Sequence, residues 1–343
     1  VGYGALFTQD MGDSRVSSKN TGVGLAAGYH NVTGTTNTWL GYEAGKGDTG
    51  QSNTGNTGVG ANALTAVTTG GYNVAIGNGS GKALTTGGNN VFLGGNAGLT
   101  TVDVDKAVIL GNSAAVSNMT SAADGTIAVG YDCLSLLTTG QYNTAIGYEA
   151  LSTATELDKN TAIGYQALKV ASGSAGTGLN TALGYQAGVS LTNGYGNTFI
   201  GAQAADSATT TFDSVVIGMD AAQSATIAYR FVAIGHEAGY TEIQGGAWTA
   251  IGKGALKYQN LGSQNDVYNT AVGYSAGHYN VTGQDNTSMG HKAMEGVTGN
   301  SNASNTAIGS LAAQKVTTGG RNSSLGYAAA KTSTTASGSV AIG

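Results

Sequence analysis

The chain has 343 residues, 58 of them glycine and none proline, with 10% charged residues and a formal net charge of −5. Glycine does not recur at every third position, which excludes collagen, and the lack of proline excludes a proline-stiffened linker. No Lys/Arg cluster interleaved with aromatics points to nucleic acid, and no apolar run approaches the roughly 20 residues that span a bilayer.

From the first residues onward one short pattern returns, seen most fully as Asn143-Thr144-Ala145-Ile146-Gly147-Tyr148-Glu149-Ala150-Leu151. Its central glycine recurs at Gly2, Gly24, Gly41, Gly60, Gly77, Gly94, Gly111, Gly130, Gly147, Gly164, Gly184, Gly201, Gly218, Gly235, Gly252, Gly273, Gly290, Gly309, Gly326 and Gly343. Thirteen of the nineteen intervals are 17 residues and the others are 22, 19, 19, 20, 21 and 19. A period of this size marks an array in which each repeat buries its apolar side only against its neighbours. Residues 1–343 are therefore expected to form a single continuous array. Both ends fall inside a repeat, so the polypeptide is expected to continue beyond them or to be covered there by neighbouring subunits.

Within each repeat the first position is Asn in thirteen copies, for example Asn20, Asn73 and Asn160, and stacked amides there should form a hydrogen-bonded ladder. A short β-branched segment follows and reads as a strand. The residue before the glycine is aliphatic in every copy (Val23, Leu40, Ile76, Ile146 and so on), and it shares one strand face with the Thr or Val two places earlier. This face is expected to be the core. The residue between them is mostly Ala and never charged, with Trp39, Phe92 and Phe199 among the exceptions. It is expected to point outward, with Trp39, Phe92 and Phe199 packing between chains.

The glycine is expected to need a positive φ or to let another backbone approach closely. Three residues later stands Ala, replaced only by Ser80 and Cys133, so Cys133 is read as a buried, inert stand-in for Ala. The repeat then relaxes into Thr-Thr-Gly turns. All the insertions fall in this half, within residues 6–20, 46–56, 115–126, 169–180, 257–269 and 295–305, and should project from one side.

The expected fold is all-β: a parallel β-solenoid with about one 17-residue repeat per coil and identical positions stacked about 4.8 Å apart. Nineteen such steps predict a rod roughly 90 Å long. Three chains around a common axis are expected, and a monomeric solenoid joined end to end into a filament is the alternative.

The strings Asn73–Gly77 (NVAIG), Thr126–Gly130 (TIAVG), Phe231–Gly235 (FVAIG) and Ser339–Gly343 (SVAIG) resemble the head repeats of trimeric autotransporter adhesins of the YadA type. The fuller Asn160–Leu168 (NTAIGYQAL) with its Thr-Thr-Gly turn is similar to repeats in bacteriophage tail fibres. The resemblance implies a left-handed β-roll in a homotrimer that holds binding sites away from a surface. It also implies an extracellular, cell-surface or virion location and a host-cell glycan or surface protein as partner. The 17-residue coil is longer than the adhesin repeat, and residues 1–343 contain no coiled-coil heptads, neck or membrane-barrel strands.

No catalytic constellation, cofactor site or metal site is predicted. His236 and His291 both follow the glycine but are three coils apart, roughly 14 Å at the strand spacing, too far to share a metal. His30 and His278 read as surface loop residues. Asp10 with Asp13 and Asp103 with Asp105 lie in no calcium-binding pattern. A glycan-active enzyme on a β-helix would need clustered carboxylates, whereas these are dispersed. The residue after the glycine is often Tyr, and Tyr42, Tyr131, Tyr148, Tyr165, Tyr185 and Tyr274 are the candidate recognition surface. Ice binding through the Thr-Thr turns is disfavoured because adjacent Thr side chains point opposite ways.

Overall fold

In a computed structural model, residues 1–10, 17–172 and 178–343 are described. The chain divides into two compact units, Val1–Gly178 and Leu179–Gly343. Each is a parallel β-solenoid. In the first unit nine three-residue strands run from β1 (Thr21–Val23) to β9 (Thr161–Ile163), and in the second ten run from β10 (Thr181–Leu183) to β19 (Val340–Ile342).

Successive strands within a unit pair in parallel and in the register of the repeat. Thr144 lies opposite Thr161, Ala145 opposite Ala162 and Ile146 opposite Ile163. Insertions do not disturb this register, because Thr38 still meets Thr57 across a 19-residue interval. The extra residues are looped out after the strand has closed on its neighbour.

The anchoring glycine meets both expected demands. Gly147 has φ +140°, and a Cβ there would be driven into the carbonyl of Gly164 in the next coil. The glycine N–H is part of the same ladder, since Gly147 N donates to Val129 O at 2.7 Å. No side chain can stand where two backbones meet this closely.

The Asn ladder forms as expected and carries more than amide-to-amide bonds. Asn56 Oδ1 accepts from both the backbone N (2.9 Å) and Nδ2 (3.1 Å) of Asn73, while Asn73 Nδ2 also donates to Gly87 O at 2.9 Å. One buried side chain therefore satisfies a strand end on one side and a turn carbonyl on the other. Where Asn is lacking, Phe231 and Trp248 stack in the same column with centroids 4.4 Å apart, and Trp248 Nε1 donates to Gly245 O.

The strand faces are the reverse of the sequence expectation. The middle residue of the strand faces the coil's own interior: Ala75, Ala145, Ala162, Phe92, Phe199 and Trp39 are all fully buried within the single chain. The aliphatic residues before the glycine lie outside, with Leu40 47%, Ile76 44% and Leu325 52% exposed. Trp39, Phe92 and Phe199 are thus interior side chains and not surface packing residues. The interior at the strand is narrow, holding Ala in most coils and Trp39 or Phe92 only beside glycines of the same and adjoining coils.

Bulk inside the coil is balanced four residues past the glycine. Where the strand carries Ala145, that position is Leu151, and both are buried. Where it carries Trp39, the position is Gly45, and Gly28 and Gly58 of the flanking coils are also glycine. A Cβ on Gly28 would come within 2.6 Å, and one on Gly58 within 2.7 Å, of the Trp39 ring. Phe92 is matched in the same way by Gly81 and Gly98. Each coil thus reaches a filled interior with a different division of volume.

The two units share a local design. Intervals of 22, 17 and 19 residues lead to Gly60, and 21, 17 and 19 lead from Gly252 to Gly309. In the first, Asn31 bridges Gln51 and its Oδ1 accepts from Gly34 N; in the second, Asn280 bridges Asn300 and its Oδ1 accepts from Gly283 N.

Candidate recognition surface

Tyr131, Tyr148 and Tyr165 follow the glycine in three consecutive coils, so parallel register stacks them. Their ring centroids are 5.3 Å apart at each step, with interplanar angles of 14° and 11°. Each ring covers its neighbour's face, so solvent meets the edges and the hydroxyls. Beside the row, Lys169 Nζ lies 2.6 Å from Glu149 Oε2, and Gln166 Nε2 donates to the same carboxylate at 2.8 Å. The hydrogen bond from Lys169 holds the Glu149 carboxyl below its usual range, and the charge of Glu149 raises the Tyr148 phenol.

The remaining predicted tyrosines have settings of their own. Tyr274 stacks on His291 with centroids 5.5 Å apart, and Tyr42 and Tyr185 are each 50% exposed.

Further aromatic stacks escaped the reading of the sequence, among them Phe7 on Tyr29 with centroids 5.1 Å apart. Tyr195, Phe212 and Tyr229 stack at 5.5 and 5.4 Å, with the Arg230 guanidinium 4.9 Å from the Tyr229 centroid. Tyr258 and Tyr279 stack at 5.3 Å with planes 3° apart, and the His278 ring meets both edge-on. The 17-residue spacing of Tyr195, Phe212 and Tyr229 was the available signal. The second pair is hidden by the insertion between its members, which makes the separation 21.

The histidines have individual settings. His236 lies 3.9 Å from Asp220 and 3.8 Å from Glu237, at opposite ring nitrogens. His278 is not a free surface residue: its Nδ1 is 2.7 Å from Gly254 O, and burial lowers its pKa.

Cys133 is fully buried, its Sγ donates to Ala145 O at 3.2 Å, and burial pushes the thiol up to about 12. It packs as the expected substitute for Ala. Asp103 and Asp105 accept from the backbone N atoms of Ser121 (2.8 Å) and Gly88 (2.6 Å), so they tie coils together. Asp13 lies outside the described residues. Among the described residues no group of three His, Cys, Asp or Glu side chains is placed to hold a metal ion, and no helix is long and apolar enough to cross a membrane.

One carboxylate is deeply buried. Glu242 has no exposed surface, and its Oε1 accepts from the backbone N atoms of Gly245 (3.0 Å) and Gln244 (3.4 Å). Desolvation raises its pKa despite these bonds.

Comparison with protein-family models gives no match, and comparison with curated proteins gives none either.

Proposed function

We propose that this chain is a segment of a non-enzymatic fibre or adhesin, extracellular or virion-borne, that assembles as a homotrimer and displays recognition sites away from a surface. The observation that carries this reading is the outward strand face. In each unit it is a double row, mostly Thr or Val with Ile127 and Ser323 as exceptions, beside Val, Leu, Ile or Met, without a charge in any coil. Val23, Leu40, Ile76, Ile146, Leu183, Met289 and Ile308 are each between 36% and 47% exposed there.

A continuous aliphatic stripe of this kind is costly in water and is removed by lateral contact with an identical stripe. The flatness of a parallel sheet and the identity of successive rungs let copies meet in register along their length. The stacked tyrosines and the aromatic rows lie on other columns of the coil, off the strand face. That leaves them available to a partner, with a host-cell glycan or surface protein as the class.

Sedimentation equilibrium of the purified chain tests the assembly. Three chains of 33.9 kDa per particle is the expected result. A mass of one chain across the accessible concentration range overturns it.

A further inference from the structure

A groove enclosing about 470 Å³ runs along the second unit between two columns of the coil. One wall is Thr241, Tyr258 and Tyr279, the sixth residues after Gly235, Gly252 and Gly273. The other includes Asn260, Val281 and Thr298, the eighth residues after Gly252, Gly273 and Gly290. Asn260 and Thr298 belong to the insertions at 257–269 and 295–305, so insertion residues supply part of the groove's lining.

We infer that this groove is a binding site for a neutral glycan, in which a pyranose ring stacks on Tyr279 as the next layer of the Tyr258–Tyr279 pair. The inference rests on the display reading above and gives it a site and a ligand class.

Three observations carry it. First, the aromatic column stops short. Tyr258 and Tyr279 are stacked 5.3 Å apart, but the sixth position of the next coil is Gly296, which has no side chain to cover the outer face of Tyr279. No third ring continues the row, so the aromatic wall of the groove ends at Tyr279 beside Thr298. The negative face of a phenol ring attracts the polarised C–H groups of a pyranose.

Second, the rim is amide and hydroxyl. Asn260, Thr241 and Thr298 offer neutral donors and acceptors beside the aromatic wall, the pairing of apolar platform and few polar groups that small-ligand sites use. Third, the charge is neutralised. No lining residue is charged. Lys257 sits 5.6 Å from the Tyr258 centroid and is held 2.7 Å from Glu237, and Lys292 is held 2.9 Å from Glu295. An acidic glycan or a nucleic acid finds no free positive partner there.

The volume lies within the roughly 300–1,000 Å³ of ordinary ligand pockets and suits one or two sugar rings. Tyr72, an exposed tyrosine of the first unit that belongs to none of the stacked rows described above, serves as an internal control.

The test is an array of immobilised oligosaccharides, with neutral glucose, galactose, mannose and N-acetylhexosamine chains beside sialylated and sulfated ones, probed with the full chain and its variants. At least one neutral glycan binds. Tyr279→Phe retains that binding, whereas Tyr279→Ala weakens it at least tenfold and Tyr72→Ala leaves it unchanged. Thr298→Trp, which adds bulk to the groove while leaving both tyrosines in the chain, gives the same loss as Tyr279→Ala and guards against a folding defect in the latter. Glycan binding that survives both Tyr279→Ala and Thr298→Trp overturns the site while leaving the display reading intact. Binding confined to sialylated or sulfated glycans overturns the neutral class, and so does a chain that sediments as a trimer and captures no glycan.

Discussion

Gly45 lies against the indole of Trp39, so close that a Cβ on the glycine would overlap the fused bond of the ring system. Gly45 also has φ +57°, in the left-handed region. The equivalent positions elsewhere hold Ala145 and Leu151, with Leu151 at φ +50°. The same interior is thus filled in two ways, by a large strand residue over a glycine or by a small one beside a leucine.

This complementarity predicts strong coupling between the two sites. Trp39→Ala should cost about 3–5 kcal/mol, the usual range for emptying a buried aromatic site. Gly45→Leu alone should be at least as damaging, since the indole occupies the space. The double variant recreates the Ala145/Leu151 arrangement and should be more stable than the sum of the single losses by at least about 1 kcal/mol. Urea melts of the four proteins measure this, and additive losses would contradict the packing argument.

The amide ladder gives a second expectation. Asn73→Ala removes the acceptor for Asn90 N (3.0 Å) and the donor to Gly87 O (2.9 Å), both buried. Two orphaned backbone groups should cost about 2–4 kcal/mol. Asn73→Ser should cost less, because Ser214 occupies this column naturally and its Oγ still accepts from the backbone N of Phe231 in the next coil at 3.4 Å. Chemical denaturation followed by circular dichroism ranks the two.

Charge on the outward strand face separates assembly from folding. Ile76→Glu and Ile146→Glu place carboxylates on side chains that are 44% and 36% exposed, so the coil itself should tolerate them. Particle mass by light scattering should fall from three chains to one while the far-UV spectrum is unchanged. A trimer that survives both substitutions removes this face as the contact.

The sequence made the period, the register, the glycine positions, the Asn ladder and the role of Cys133 legible, because each depends on backbone geometry repeating at 17 residues. It misled on which side of the strand is the interior. An invariant aliphatic column such as Leu40, Ile76 and Ile146 reads as a core by composition alone, and alternation cannot distinguish the inside of one chain from the inside of an assembly. The deciding clue was the size relation of Trp39 to Gly28, Gly45 and Gly58, which acquires meaning only once the coil is closed. The Tyr258–Tyr279 pair was obscured for a different reason, since the insertion between them breaks the spacing that revealed the other rows.

Glu242 should make the second unit more stable in acid than its composition suggests. Burial raises its pKa, so folding favours the protonated form. Its contribution is complete below the ordinary Glu value of about 4.3 and is lost as pH rises through the elevated folded value. Glu242→Gln, which keeps an acceptor for Gly245 N and mimics Gln259 in the next coil, should therefore raise the melting temperature at pH 7. The advantage over the parent should close near pH 4, and an equal difference at both values would count against the buried charge.

Cys133 supplies a check at the alkaline end. Its thiol ionises only near 12 in the folded chain, against about 8.5 once unfolded. Its contribution is intact below about 8.5 and is lost as pH climbs toward the folded value, so Cys133→Ala should flatten part of the alkaline decline in stability. At pH 8 the thiol should resist a disulfide reagent until denaturant is added. Rapid labelling of the native protein would show that the site opens.

The coils around Gly130, Gly147 and Gly164 carry one and the same interior, Ala128, Ala145 and Ala162 beside Leu134, Leu151 and Leu168, all buried. Recombination that duplicates or deletes 17 residues within this stretch changes the length of the array and presents every flanking coil with a familiar neighbour. The niche of Trp39 draws on three successive coils, so an exchange there breaks a matched set. Length can drift freely in the uniform stretch, whereas the Trp39 block is inherited whole.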